Sequence, residues 1–173
     1  MSREQRQRHK AHLDQHIRDA GGEYHYIGDW YALQGGGKAL IPFGVWSVLT
    51  AGYLIAVGCL RFPGLMNTWY VILPYLGTVC LLFALFWQGG KLLFSRGRVK
   101  AFVWENVKDN ILPITRALAA FAVGTALLGG LYLLKQGLTV SAGDLAYFFL
   151  LLLTADAAWM AGSAFRKQKW ELT

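Results

Sequence analysis

Residues 145–165 read LAYFFLLLLTADAAWMAGSAF and stop against Arg166, Lys167 and Lys169. About 21 helical residues rise about 30 Å, the thickness of a bilayer's hydrocarbon core. One carboxylate, Asp156, interrupts the run near its middle. The stretch predicts a transmembrane helix with an acid inside it, and three earlier stretches repeat the apolar pattern without an acid.

Those stretches are residues 39–60, 69–87 and 112–134. Pro42 falls in the opening turn of the first, where proline is tolerated. Trp69 and Trp87 bracket the second as interfacial anchors, and Pro74 predicts a bend about one turn inside it. Arg116 lies one turn inside the third. Of the 173 residues, 55% are hydrophobic and 16% charged, and the mean hydropathy is +0.34. Soluble domains carry about 25% charged residues; here the charges are concentrated in a few segments, leaving long stretches almost free of them. The predicted fold is all-α: an integral membrane protein with four transmembrane helices in an up-down bundle. A polar tail (1–38), a connector (88–111) with an amphipathic helix and a basic C-terminal segment (166–173) complete it. No secretory signal peptide is expected, because residues 1–38 contain no apolar core segment.

Within the tail, residues 1–20 read as a short helix, with Ser2 and Gln5 spaced as a capping box and Gly21–Gly22 as its stop. His9, His12 and His16 would then share one face, but no metal site is expected because no further ligand clearly completes the set. Residues 23–33 alternate aromatics around Gly28–Asp29, which predicts a two-stranded hairpin leaning on the headgroup region through its tyrosines and Trp30. Gly35–Gly36–Gly37–Lys38 lacks phosphate-loop spacing and reads as a joint. In the connector, apolar residues at 99, 102, 103, 107 and 111 form a helical stripe. It is either an interfacial helix lying on lipid or an extension of the third span, with Pro113 marking the bend between the two, and the sequence leaves both open. Trp104 joins Trp30, Trp69 and Trp87 as an expected membrane-interface residue. Cys59 and Cys80 fall in apolar segments and read as packing thiols.

Four spans put both ends of the chain on one side. That side carries Arg3, Arg6, Arg8, Lys10, Arg18 and Lys38, the connector bases, and Arg166, Lys167 and Lys169, whereas the other holds Arg61 and Lys135. By the positive-inside rule both termini are cytoplasmic. The same asymmetry explains the net charge of +7 without nucleic acid and predicts contact between the connector and anionic headgroups. A bacterial inner membrane suits this design.

Ala119, Ala122, Ala126 and Gly129 form a stripe of small residues on the third span, answered by Ala158 and Gly162 on the fourth. Small residues let helices approach closely in lipid, so these two spans are expected to pack as an antiparallel pair.

Asp156 carries the functional question. A carboxylate at the bilayer centre costs at least about 2.5–3.5 kcal/mol, so it requires a partner, water or a proton. The first expectation is a pair with Arg116, or a hydrogen bond to a neighbouring helix, that fixes register. The second is contact with another protein or a second protomer, and the third is proton or ion coupling. Ser163 is the polar companion on the same helical face. No histidine lies in a span to serve as a base, so catalysis is not expected and no cofactor is implied. The sequence favours a non-catalytic membrane subunit or scaffold working by helix packing, with a membrane-protein partner or as a homo-oligomer. A small oligomeric proton- or ion-coupled transporter or channel using Asp156 is the alternative.

Overall fold

The computed structural model describes residues 16–18, 24–26, 29–95, 98–137 and 140–173, the first two segments by backbone alone. Gly35 and Gly36 take φ +86° and +63°, a left-handed geometry that favours residues without a Cβ. They turn the chain out of a strand and into a 3-10 turn, Gly36–Leu40, that continues as helix α1, Ile41–Cys59. A short helix α2, Pro63–Asn67, caps the opposite end, and α3, Trp69–Leu93, returns. Helix α4 runs Ala101–Gln136 and α5 runs Ala142–Arg166. Four of these helices are long and apolar enough to cross a membrane, which makes the chain a multi-pass membrane protein with an all-α, four-helix fold.

Each long helix buries one stripe at spacings of three and four residues. On α1 the stripe is Phe43, Ser47, Thr50, Leu54 and Val57; on α3 it is Val71, Thr78, Leu82, Leu85, Gly89 and Leu92. The polar members are satisfied within their own helices. Ser47 Oγ donates to the Phe43 carbonyl, Thr50 Oγ1 to Trp46 and Thr78 Oγ1 to Pro74, at 2.8–2.9 Å. Such back-bonding leaves no orphan hydroxyl in lipid. Helix α5 packs against both α1 and α4, and α4 packs against α3. Helices α1 and α3 meet at Phe43 against Gly89 near one end, and farther along where Tyr75 Oη donates to the Leu54 carbonyl at 3.3 Å.

Of the two arrangements open to the connector, the structure takes the extension: helix α4 is continuous through Pro113 and 36 residues long, about 54 Å, with no bend into a helix lying on lipid. The reason is visible in its buried stripe: Trp104 and Val107 continue, without a phase break, the face that Ile111, Thr115, Leu118, Ala122 and Thr125 lay against the bundle. Proline at 113 is exposed. Helix α3 likewise runs past Trp87 to Leu93.

The extramembrane segments form strands that local sequence did not pair correctly. Strand β1, His16–Arg18, pairs antiparallel with β2, Tyr24–Tyr26. Strand β3, Trp30–Leu33, instead lies between β4, Arg98–Lys100, and β5, Trp170–Leu172, in an antiparallel sheet of order β4-β3-β5. Tyr31 sits opposite Val99 on one side and Leu172 on the other. The hairpin expected around Gly28–Asp29 is therefore replaced by two pairings, one local and one long-range. The tail helix expected over 1–20 is not present at 16–18, and its remaining residues lie outside the described ones.

This sheet ties together the segment before α1, the connector and the segment after α5. Further bonds extend it: Gln34 N–H donates to the Lys169 carbonyl at 3.0 Å, Ala101 N–H to Asp29 at 3.0 Å and Thr173 N–H to Trp30 at 2.8 Å. All three segments consequently sit at one end of the bundle, as an up-down arrangement requires. The other end is closed by aromatic packing, with Phe62 stacked on Tyr147 at 4.0 Å between centroids and Tyr132 edge-on to Phe62 at 6.2 Å.

Candidate functional site

Helix α5 begins with a complete capping box: Ser141 N–H donates to Asp144 Oδ2 at 2.8 Å, and Asp144 N–H donates to Ser141 Oγ at 3.2 Å. Because α5 touches helices on two sides, it buries a wide arc. Tyr147, Leu151, Thr154, Ala155, Ala157, Ala158, Ala161, Gly162 and Phe165 are all buried. Only a narrow outward stripe remains: Leu145, Phe149, Leu152, Asp156, Trp159 and Met160 are exposed, and Ser163 is half-buried.

Asp156 is thus on the outer face of the bundle. It lies ten residues, about 15 Å, from Arg166 at the sheet end, well inside any bilayer that the helix crosses. Among the described residues it has neither a hydrogen-bond nor an ion-pair partner. The expected Asp156–Arg116 pair does not form, and two features explain why. Thr115 and Gly162 are in such close apposition that a Cβ on Gly162 would lie 2.5 Å from Thr115 Oγ1. Arg116 is therefore level with the residues around Gly162, about 9 Å along the axis from Asp156. Both side chains, moreover, lie on exposed surfaces instead of meeting in the interior.

Two cavities flank the end of α5 nearest the sheet. The larger, about 500 Å³, lies between the start of α1 and the end of α5 and is lined by Gln34, Ala39, Pro42, Trp46, Met160, Ser163, Ala164, Lys167, Gln168 and Lys169. The smaller, about 50 Å³, opens between α4 and α5 at Leu112, Thr115, Arg116, Trp159, Gly162, Ser163 and Arg166. Arg116 and Ser163 are brought together at this second cavity, while Asp156 lines neither. Ser163 also stands apart chemically. Ser47, Thr50, Thr78, Thr115, Thr125 and Thr154 each donate to a carbonyl three or four residues earlier in their own helix, whereas Ser163 Oγ has no partner among the described residues.

The packing residues read from sequence fall as follows. Ala122, Gly129, Ala158 and Gly162 are buried, and Ala119 and Ala126 are half-buried. Gly129 faces the rings of Phe62, Tyr147 and Phe148, each 3.3 Å from where a Cβ would stand, so its small size admits an aromatic cluster as well as a helix. Trp69 and Trp87 are 73% and 72% exposed, and Trp30 is exposed on β3. Lys91 Nζ lies 5.6 Å from the Trp87 ring centroid. Trp104, expected at the membrane interface, is only 8% exposed: it packs between Tyr31, Phe165 and Trp170. Cys59 and Cys80 are exposed rather than packed inside. His9 and His12 lie outside the described residues, and His16 is in a strand, so the helical spacing that aligned it with them does not hold.

The outward position of Asp156 had a readable signal. One side of α5 carries Ala155, Ala158, Ala161 and Gly162, and the other Phe149, Leu152, Trp159 and Met160. Small residues face helices and bulky ones face lipid, and Asp156 belongs to the bulky stripe. The larger cavity had no comparable signal, since Gln34 and Lys169 are joined only by the long-range sheet. Compared with protein-family models, with curated proteins and with solved structures, the chain matches none.

Proposed function

We propose that the chain is a non-catalytic membrane subunit or scaffold that docks another transmembrane helix, from a partner protein or a second copy, on the outer stripe of α5, with Asp156 as the polar contact. The observation that carries this reading is the exposure of Asp156 in mid-span without an internal partner. A carboxylate facing lipid there costs at least about 2.5–3.5 kcal/mol, and a hydrogen-bond donor on a docked helix offsets that cost. Phe149, Leu152, Trp159 and Met160 supply bulky apolar surface around it. The alternative reading, a proton- or ion-coupled transporter, draws less support because Asp156 lines neither cavity.

The charge distribution supports a cytoplasmic location for the sheet end: Lys38, Lys91, Arg98, Lys100, Lys108, Arg166, Lys167 and Lys169 gather there, and Arg61 and Lys135 lie opposite. Anionic headgroups at the connector and a bacterial inner membrane as the setting belong to the same reading.

The test is purification of wild type and Asp156→Asn in a mild detergent, with native mass and co-purifying proteins measured together. A stoichiometric partner or defined oligomer that the variant loses supports docking. Identical monomers with nothing attached sink it, and proton flux in liposomes then becomes the question.

A further inference from the structure

We infer that the larger cavity, between the start of α1 and the end of α5, is a binding site for an anionic phospholipid. It does not depend on Asp156. Its wall divides into two chemistries along the membrane normal: Trp46 and Met160 lie on the span side, and Lys167 and Lys169 lie at the sheet end, just past the last turn of α5. A lipid presents the same sequence of groups, acyl chain first and phosphate last. At about 500 Å³ the cavity is in the size range that encloses small-molecule ligands.

The polar groups at its boundary have capacity to spare. Ser163 Oγ lacks the back-bond made by every other serine and threonine hydroxyl described within the spans. The Gln168 side-chain oxygen is enclosed without a donor, while its nitrogen makes one long bond, 3.4 Å, to the Ala39 carbonyl. No acidic side chain lines the cavity. On the far side of Ser163, Arg116 and Arg166 flank the smaller cavity and add positive potential to the same end of α5. Glu171 is the nearby acid, and its carboxylate accepts from Gln34 Nε2. Cations and an unsatisfied hydroxyl therefore face a space whose inner wall is apolar, which selects a phosphate carrying a hydrocarbon chain over a bare anion.

The test is native mass spectrometry of the full chain in detergent, titrated with phosphatidylglycerol, with phosphatidylcholine, and with inorganic phosphate. Wild type is expected to retain phosphatidylglycerol preferentially. Lys167→Ala/Lys169→Ala is expected to weaken that retention at least about tenfold, from about 1 kcal/mol per lysine near a headgroup. Ser163→Ala is expected to weaken it less, and Trp46→Ala is expected to weaken binding of both lipids. The matched variant Arg61→Ala/Lys135→Ala removes the same charge from exposed positions at the opposite end of the bundle and is expected to leave retention unchanged. Equal retention of the two lipids overturns the proposal, as does an unchanged Lys167/Lys169 variant. An equal loss in the Arg61/Lys135 variant reduces the effect to net charge and overturns it, and binding of phosphate that competes with the lipid replaces it with a free-anion site.

Discussion

The indole rings of Trp104 and Trp170 lie 4.4 Å apart between centroids, inclined at 33°. One belongs to the first turn of α4 and the other to β5, so this contact fastens the segment after the last span to the extension of the third. Phe165 and Tyr31 complete the cluster at 6.0 and 5.9 Å from Trp104. Trp104→Ala removes a nearly buried indole and is expected to lower stability by about 3–5 kcal/mol, read from thermal unfolding in detergent. The Trp170 Nε1–H is enclosed without an acceptor. Trp170→Phe is therefore expected to be close to neutral, while Trp170→Ala speeds amide exchange across β3 and β5.

Substitution of glycines separates close helix approach from empty space. At Gly162 a new Cβ would meet Thr115 at 2.5 Å, whereas at Gly124 nothing lies within 4 Å. Gly162→Ala is expected to destabilise by about 1–3 kcal/mol through forced separation of α4 and α5. Gly124→Ala is expected to stay within about 0.5 kcal/mol of wild type. Parallel melting curves of the two variants decide it, and equal losses would contradict the close approach.

Asp156→Leu is a test of orientation. With the carboxylate on the outer face, its removal relieves a cost of about 3 kcal/mol in membrane insertion and breaks no internal bond. The isolated protomer is expected to be at least as stable as wild type, and an insertion assay on the last span is expected to show a higher membrane-inserted fraction. Arg116→Leu is expected to leave the protomer's melting temperature within a few degrees of wild type. A marked loss of stability in both variants would restore the internal pair.

Tyr147 is fully buried against Phe62, and its hydroxyl has no partner among the described residues. Tyr147→Phe keeps the stacked ring and removes an unsatisfied donor, so it is expected to be neutral or stabilising by about 1–2 kcal/mol. Tyr147→Ala removes the ring and is expected to cost about 3–5 kcal/mol. Differential unfolding of the pair distinguishes packing from hydrogen bonding at this end of the bundle.

The spans were legible because their signal is local: each is a long apolar run punctuated by Gly, Pro or charge. Asp156 was legible as an outlier for the same reason. Its outward face was signalled by the bulky residues beside it, but its lack of an internal partner was not, because that depends on how α4 and α1 pack on the two sides of α5. The sheet defeated local reading altogether. Gly28–Asp29 is a sound hairpin signal for the residues beside it, yet Tyr31 pairs with Val99 and Leu172, positions that no pattern around Tyr31 names. Trp104 was misplaced by a similar step, since an indole near a span end suits an interface until β5 is known to cover it.

The order of the strands in the sheet has a consequence for biosynthesis. Strand β3, its centre, leaves the ribosome before any span does, β4 follows after two spans, and β5 only after all four. Until then β3 carries an open edge, first on both sides and later on one, of the kind that recruits unintended partners. Closure of the sheet thus records that every helix has been delivered to the membrane. A nascent chain stalled in its last span would keep that edge exposed on the sheet side, where a protease or chaperone that reads unpaired strands could recognise it as unfinished.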